Sequence, residues 1–186
     1  MANSNVRVWR CEICGATYLG VNWPSNCPFC GAHFEYIKES IDYPLDIRKG
    51  VTLTDAERKD LEAAMDIEIT NLTFYRALGK MGDPNSLLAS AYRALAKVET
   101  EHLGVYADTL EVEAPTAPAN PLPVHEDWIS NIEASHVREG EAVKFYTECA
   151  ARATSPRVKQ VFTAIAEVET DHQAIDEFLL TQAKAQ

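Results

Sequence analysis

From Thr54 onward, apolar residues recur at steps of three and four, the spacing that gives a helix one apolar face. The pattern predicts four helices, at about 55–80, 84–111, 125–153 and 156–182. Thr54-Asp55-Ala56-Glu57 reads as a capping box at the first start. Asp83-Pro84 and Ser155-Pro156 each set a capping side chain before a proline at the first helical position. Gly79 and Gly82 end the first helix, and Pro115, Pro118, Pro121 and Pro123 forbid helix between the second and third. Short turns make each sequential pair an antiparallel hairpin. The link between the pairs has about 13 residues and reaches about 40 Å when extended. That is the length of a helix of about 27 residues, so the link can run the full length of a bundle.

The stripes facing the bundle interior carry an anomaly. They run Leu61, Met65, Glu68, Leu72, Tyr75; then Leu88, Tyr92, Leu95, Glu99, His102, Tyr106; then Ile132, His136, Glu139, Val143, Tyr146; then Val158, Phe162, Ile165, Glu169, His172. Each is apolar except near its middle, where Glu or Glu-x-x-His intrudes. Four bare carboxylates in a core would be prohibitively costly, but two divalent cations neutralise them. His102 and His172 lie one turn beyond Glu99 and Glu169 on the same face, so each pair can grip a metal, with Glu68 and Glu139 as single ligands. This is the dimetal carboxylate pattern of ferritin-like bundles. The two halves repeat: Phe74-Tyr75 matches Phe145-Tyr146, and the segment ending at His102 matches the one ending at His172, at offsets of 71 and 70.

The first 36 residues show no helical period and are broken by Gly15, Gly20, Pro24, Pro28 and Gly31. Cys11-Glu12-Ile13-Cys14 and Cys27-Pro28-Phe29-Cys30 are two Cys-x-x-Cys knuckles, the spacing of a tetrahedral zinc or single-iron site. Spacing alone favours a structural zinc ribbon. A four-cysteine metal domain is thus expected over 1–36, a connector over 37–53 and the bundle over 54–186. Acids exceed bases, 28 to 17, which argues against a nucleic-acid partner. No apolar run is long enough to cross a membrane and the first residues show no secretory leader, so a cytoplasmic protein is expected.

Together these motifs resemble the rubrerythrin family. Val8-Trp9-Arg10-Cys11 through Cys30, then Gly31-Ala32-His33-Phe34-Glu35, is similar to the family's rubredoxin-type domain. Glu68, Glu99-x-x-His102, Glu139 and Glu169-x-x-His172 match its diiron ligands, and Tyr75 and Tyr146 match its tyrosines seven residues after the single Glu ligands. The resemblance implies three iron ions per chain, one held by Cys11, Cys14, Cys27 and Cys30 and two by the bundle, with zinc as a substitute metal. It implies a peroxidase reducing hydrogen peroxide to water in oxidative stress defence. Electrons would come from a separate reductase or rubredoxin, and two chains would pair head-to-tail to bring the centres together.

The sulfur module leads the chain, as in the reverse-ordered members. The third helix departs from the family: the second Glu of the usual Glu-x-x-Glu is Ala142 here. That leaves a symmetric four-Glu, two-His set, closer to bacterioferritin-type sites, and raises a dioxygen-reducing oxidase or ferroxidase as the alternative. His136 is expected as a neutral core histidine, with ligand substitute and proton donor as alternatives. Asp176 is expected at the surface near a helix end, with orientation of His172 as the alternative, and Cys149 as a space-filling residue.

Overall fold

A computed structural model describes residues 5–48 and 50–185. The first four residues, part of the stretch on which the expectation of no secretory leader rests, lie outside the described residues. Four long helices follow a small sheet: α1 (Asp55–Leu78), α2 (Leu87–Leu110), α3 (Trp128–Arg152) and α4 (Pro156–Lys184).

The helix starts are set by side chains that satisfy otherwise unpaired amides. Thr54 accepts from the amide of Glu57 while the Glu57 carboxylate accepts from the amide of Thr54, which is the expected capping box. Ser155 caps α4, with Pro156 opening it. The start of α2 differs from expectation. Ser86 is its cap, and the Asp83 carboxylate instead accepts from the amide of Asn85, so Asp83-Pro84 forms a turn before the helix. Glu57 also accepts from the amides of Thr154 and Ser155, tying the start of α1 to the α3–α4 turn. Those hydrogen bonds hold its carboxyl down at about 2 although burial opposes it.

The bundle is two hairpins, α1 against α2 and α3 against α4, joined by the long link. Contacts across α1–α3 and α2–α4 are sparser. Two apolar clusters result, one around Tyr106, Tyr146 and Phe162, the other around Tyr75, Tyr92 and Leu95. The metal-type residues lie between them.

The N-terminal module is a three-stranded antiparallel sheet: β1 (Arg7–Cys11) in the middle, β2 (Thr17–Gly20) and β3 (Ile37–Glu39) on its flanks. The sheet reaches Glu39, three residues past the expected end of the module. The connector is held down by its own side chains. Tyr43 is buried beneath the Arg10 guanidinium at 3.9 Å, and Arg48 reaches the Cys14 carbonyl at 2.6 Å and the Asp108 carboxylate.

Candidate metal centres

The four cysteines are buried, and each knuckle folds the same way. Gly15 donates to the Cys11 carbonyl and Gly31 to the Cys27 carbonyl, both at 2.9 Å. Both glycines have positive φ, 78° and 75°, which turns the chain back toward the sulfurs. Sulfur separations are 3.7 Å for Cys11–Cys30 and 3.8 Å for Cys14–Cys27. A tetrahedron with metal–sulfur bonds of about 2.3 Å has edges of roughly 3.8 Å, so the cage fits a single ion.

The second cluster sits at the bundle centre. One group is Glu68, Glu99, His102 and Glu169; the other is Glu99, Glu139, Glu169 and His172. Glu99 and Glu169 belong to both, so the sequence pairing of one Glu-x-x-His per metal becomes two shared carboxylates with one terminal Glu and one His on each side. The Nδ1 of His102 lies 3.3 Å from Glu99 and 3.1 Å from Glu169. The Nδ1 of His172 lies 3.2 Å from Glu99 and 2.7 Å from Glu169. All six residues are buried.

Among the described residues, eight of their oxygen and nitrogen atoms have no hydrogen-bond partner: one each on Glu68, Glu139, His102 and His172, and two each on Glu99 and Glu169. So many converging buried orphans would be strongly destabilising alone, and cations held among them would satisfy them. Without a cation, burial pushes Glu68 and Glu139 well above the usual carboxylate range, and neighbouring carboxylates add to it. The donor set is the carboxylate and imidazole mixture that suits iron.

The tyrosines cross between the two hairpins. Tyr146 of α3 donates to Glu68 of α1 at 2.7 Å, and Tyr75 of α1 donates to Glu139 of α3. Each terminal carboxylate is thus steadied by the other's helix. Ala142 is buried one turn after Glu139, so no further carboxylate enters the site from α3.

Two expectations fail. His136 is not in the core: it is 37% exposed and faces Glu177 at 3.5 Å. Ser135 takes the buried position instead and donates to the Tyr75 hydroxyl at 3.1 Å. Asp176 is not on the surface but 1% exposed, accepting from Tyr92 at 2.8 Å, and burial pushes its carboxyl up to about 6. No hydrogen bond between Asp176 and His172 occurs among the described residues. Cys149 is buried in the core, as expected of a space-filling residue.

The module packs directly on the bundle of its own chain, over α2 and α4. His102, whose Nδ1 faces the carboxylates, donates from Nε2 to the Cys30 carbonyl at 2.9 Å. Arg157 donates to the carbonyls of Glu12 and Ile13, both at 2.8 Å, and His33 meets Asp171 at 2.8 Å. Sequence gives no sign of these contacts, because three of the four acceptors are backbone carbonyls.

Fold and donor sets define a ferritin-like dimetal-carboxylate bundle preceded by a four-cysteine module, with donor clusters of the iron-binding type. Residues 9–38 match the family described as "Rubrerythrin, rubredoxin-like domain", and residues 130–185 match "Rubrerythrin". The rubredoxin-like match precedes the rubrerythrin match along the chain, consistent with a reverse domain order. It is 29% identical over 115 residues to reverse rubrerythrin-1 of Clostridium acetobutylicum, a match covering 56% of this chain and 62% of that protein's length. In fold it is similar to the bacterioferritin BfrA of Mycobacterium tuberculosis, with a TM-score of 0.53 and 19% identity over 73% of this chain and 86% of that one. Among the described residues, no helix is long and apolar enough to cross a membrane.

Proposed function

We propose that the protein is a non-haem diiron peroxidase that reduces hydrogen peroxide to water, with electrons relayed through an iron held by four cysteines. The observation that carries this reading is the position of His102, whose ring spans from the carboxylate cluster to the Cys30 carbonyl. One imidazole and one peptide therefore separate the two centres within one chain. Bound there, two reduced irons supply two electrons at once, enough to cleave an O–O bond without releasing a radical. Cys11, Cys14, Cys27 and Cys30 would hold one iron, and Glu68, Glu99, His102, Glu139, Glu169 and His172 would hold two. Tyr75 and Tyr146 would fix the terminal carboxylates, and burial would exclude bulk water.

Electrons would come from a separate reductase or rubredoxin, since no Gly-x-Gly-x-x-Gly nucleotide motif stands at a strand–helix junction. The proposed setting is cytoplasmic oxidative stress defence. The resemblance implies a head-to-tail homodimer because it brings distant centres together. Here the module and the bundle of one chain also touch, so a route within one chain is proposed beside the one across the dimer. Full turnover by a sedimenting monomer would remove the dimer from the proposal.

The second reading, a dioxygen-reducing oxidase or ferroxidase, is favoured by Ala142, which leaves the carboxylate set symmetric. Stopped-flow mixing of the anaerobically reduced, iron-loaded protein with peroxide or dioxygen separates the two. Faster oxidation by peroxide is expected; faster oxidation by dioxygen would reverse the assignment.

A further inference from the structure

The module covers only part of the α2–α4 seam. Beyond it the seam opens into a groove of about 320 Å³, walled by Ala91, Leu95 and Val98 of α2 and by Val168 and Ile175 of α4. The walls are almost wholly apolar. The polar rim residues are engaged elsewhere: Asn26 donates to the Gly31 carbonyl at 3.1 Å and Asp171 accepts from His33.

His172 also lines the groove and separates it from the carboxylate cluster. Its Nδ1 faces Glu99 and Glu169, so the ring hydrogen belongs on Nε2 when that cluster holds cations. Metal-binding histidines almost always donate this second N–H to an acceptor. His102 does so, to Cys30, whereas no hydrogen bond from the Nε2 of His172, a residue lining the groove, occurs among the described residues. The groove therefore offers one free donor in otherwise apolar surroundings.

We propose that this groove binds a small organic oxygen compound. Its alkyl or aryl group would lie against Ala91, Val98 and Ile175, and its oxygen would accept from the Nε2–H of His172. Resting on the peroxidase reading, the inference makes organic hydroperoxides a substrate class of the same site. The O–O bond would break, an iron pair held by the carboxylate cluster would supply two electrons and be oxidised by two, solvent acid would supply two protons, and the products would be the alcohol and one water. Small-molecule pockets begin near about 300 Å³, so a cumyl group fits and a long acyl chain does not.

Two readouts test this on the full-length, iron-loaded protein. In calorimetry, the unreactive product cumyl alcohol binds saturably, one per chain, and glycerol does not compete. Ala91→Leu, which fills the groove from a half-buried position, weakens binding at least tenfold; Ala94→Leu, exposed on the same helix, is the second variant should the first fold poorly. In stopped flow, the filled groove slows oxidation of the reduced protein by cumene hydroperoxide at least tenfold and leaves the hydrogen peroxide rate unchanged. Absence of saturable binding, or binding indifferent to both variants, overturns the site. Binding that holds while neither peroxide oxidises the reduced protein supports the groove and overturns the peroxidase reading and the substrate class with it.

Discussion

The two hairpins carry the same metal clamp, yet they face different surroundings. On α2, His102 leans on the Cys30 carbonyl, and Tyr106, one turn on, keeps a buried hydroxyl that bonds no described residue. On α4, His172 faces the groove, and the repeat offset of 70 places Asp176 where α2 has Tyr106. Asp176 accepts from Tyr92 and lies beside Ser135, which donates to Tyr75, which donates to Glu139. The repeat thus accounts for a symmetric grip on two cations. Function lies in what each half touches outside that grip: a sulfur centre on one side, a groove and a buried acid on the other. Three substitutions, two of them each paired with a control substitution at a repeat-related position, test the contrast.

The largest effect is expected from Gly31→Ala. A Cβ on Gly31 would stand 2.7 Å from Val168 Cγ1, at a φ of 75° that L side chains rarely adopt. Something must shift, and the module is the smaller body. Electron transfer from the cysteine-held iron to the diiron pair should slow at least tenfold, followed as the lag between the bleaching of the two sets of visible bands. Oxidation of a pre-reduced diiron pair by peroxide should keep its rate. The visible spectrum of the four-cysteine centre serves as the control for an intact cage. Unchanged transfer with the module displaced would remove the His102–Cys30 contact as the route.

Much of this arrangement is legible in the sequence, for identifiable reasons. Caps at Thr54 and Ser155 are local, so four residues suffice to read them. Glu99-x-x-His102 and Glu169-x-x-His172 stand out because charge in an apolar stripe has few explanations. The pattern misplaces His136 because steps of three and four are interchangeable. Counting back three from Glu139 gives His136 and counting back four gives Ser135, and packing against Tyr75 selects the latter. Asp176 cannot be read as buried because its partner, Tyr92, is 84 residues away. Docking of the module leaves no trace because it uses the carbonyls of Glu12, Ile13 and Cys30, which every residue type supplies equally.

A middling effect is expected from the position that breaks the repeat. Asp176→Asn should lower peroxide turnover about three- to fivefold, because a buried acid held up at about 6 is matched to giving and taking protons near neutrality. The loss should carry a pH signature, with the limb near pH 6 flattened in the variant. Tyr106→Phe removes a hydroxyl that bonds no described residue, and should change turnover less than twofold. Equal effects would mean that the two halves are functionally symmetric after all.

The smallest effect lies at the rim of the docked module. His33 contacts Asp171 at 2.8 Å and Glu167 at 3.9 Å, and the hydrogen bond to Asp171 raises its pKa above the ordinary 6.5. A histidine raised on folding stabilises the folded form fully below its unfolded value, and that stabilisation is lost as pH rises through the folded one. His33→Ala should therefore lower the urea midpoint below pH 6.5 and converge with the parent well above it. The group is partly exposed, so the difference should be about 0.5 kcal/mol, the scale of surface pairs. The repeat provides the control. Glu101 occupies on α2 the place that Asp171 holds on α4, and it makes no hydrogen bond or ion pair with its side chain among the described residues. Glu101→Ala should show no such pH-dependent gap. A gap of the same size and sign there would assign the effect to the net charge of −11 rather than to docking of the module on α4.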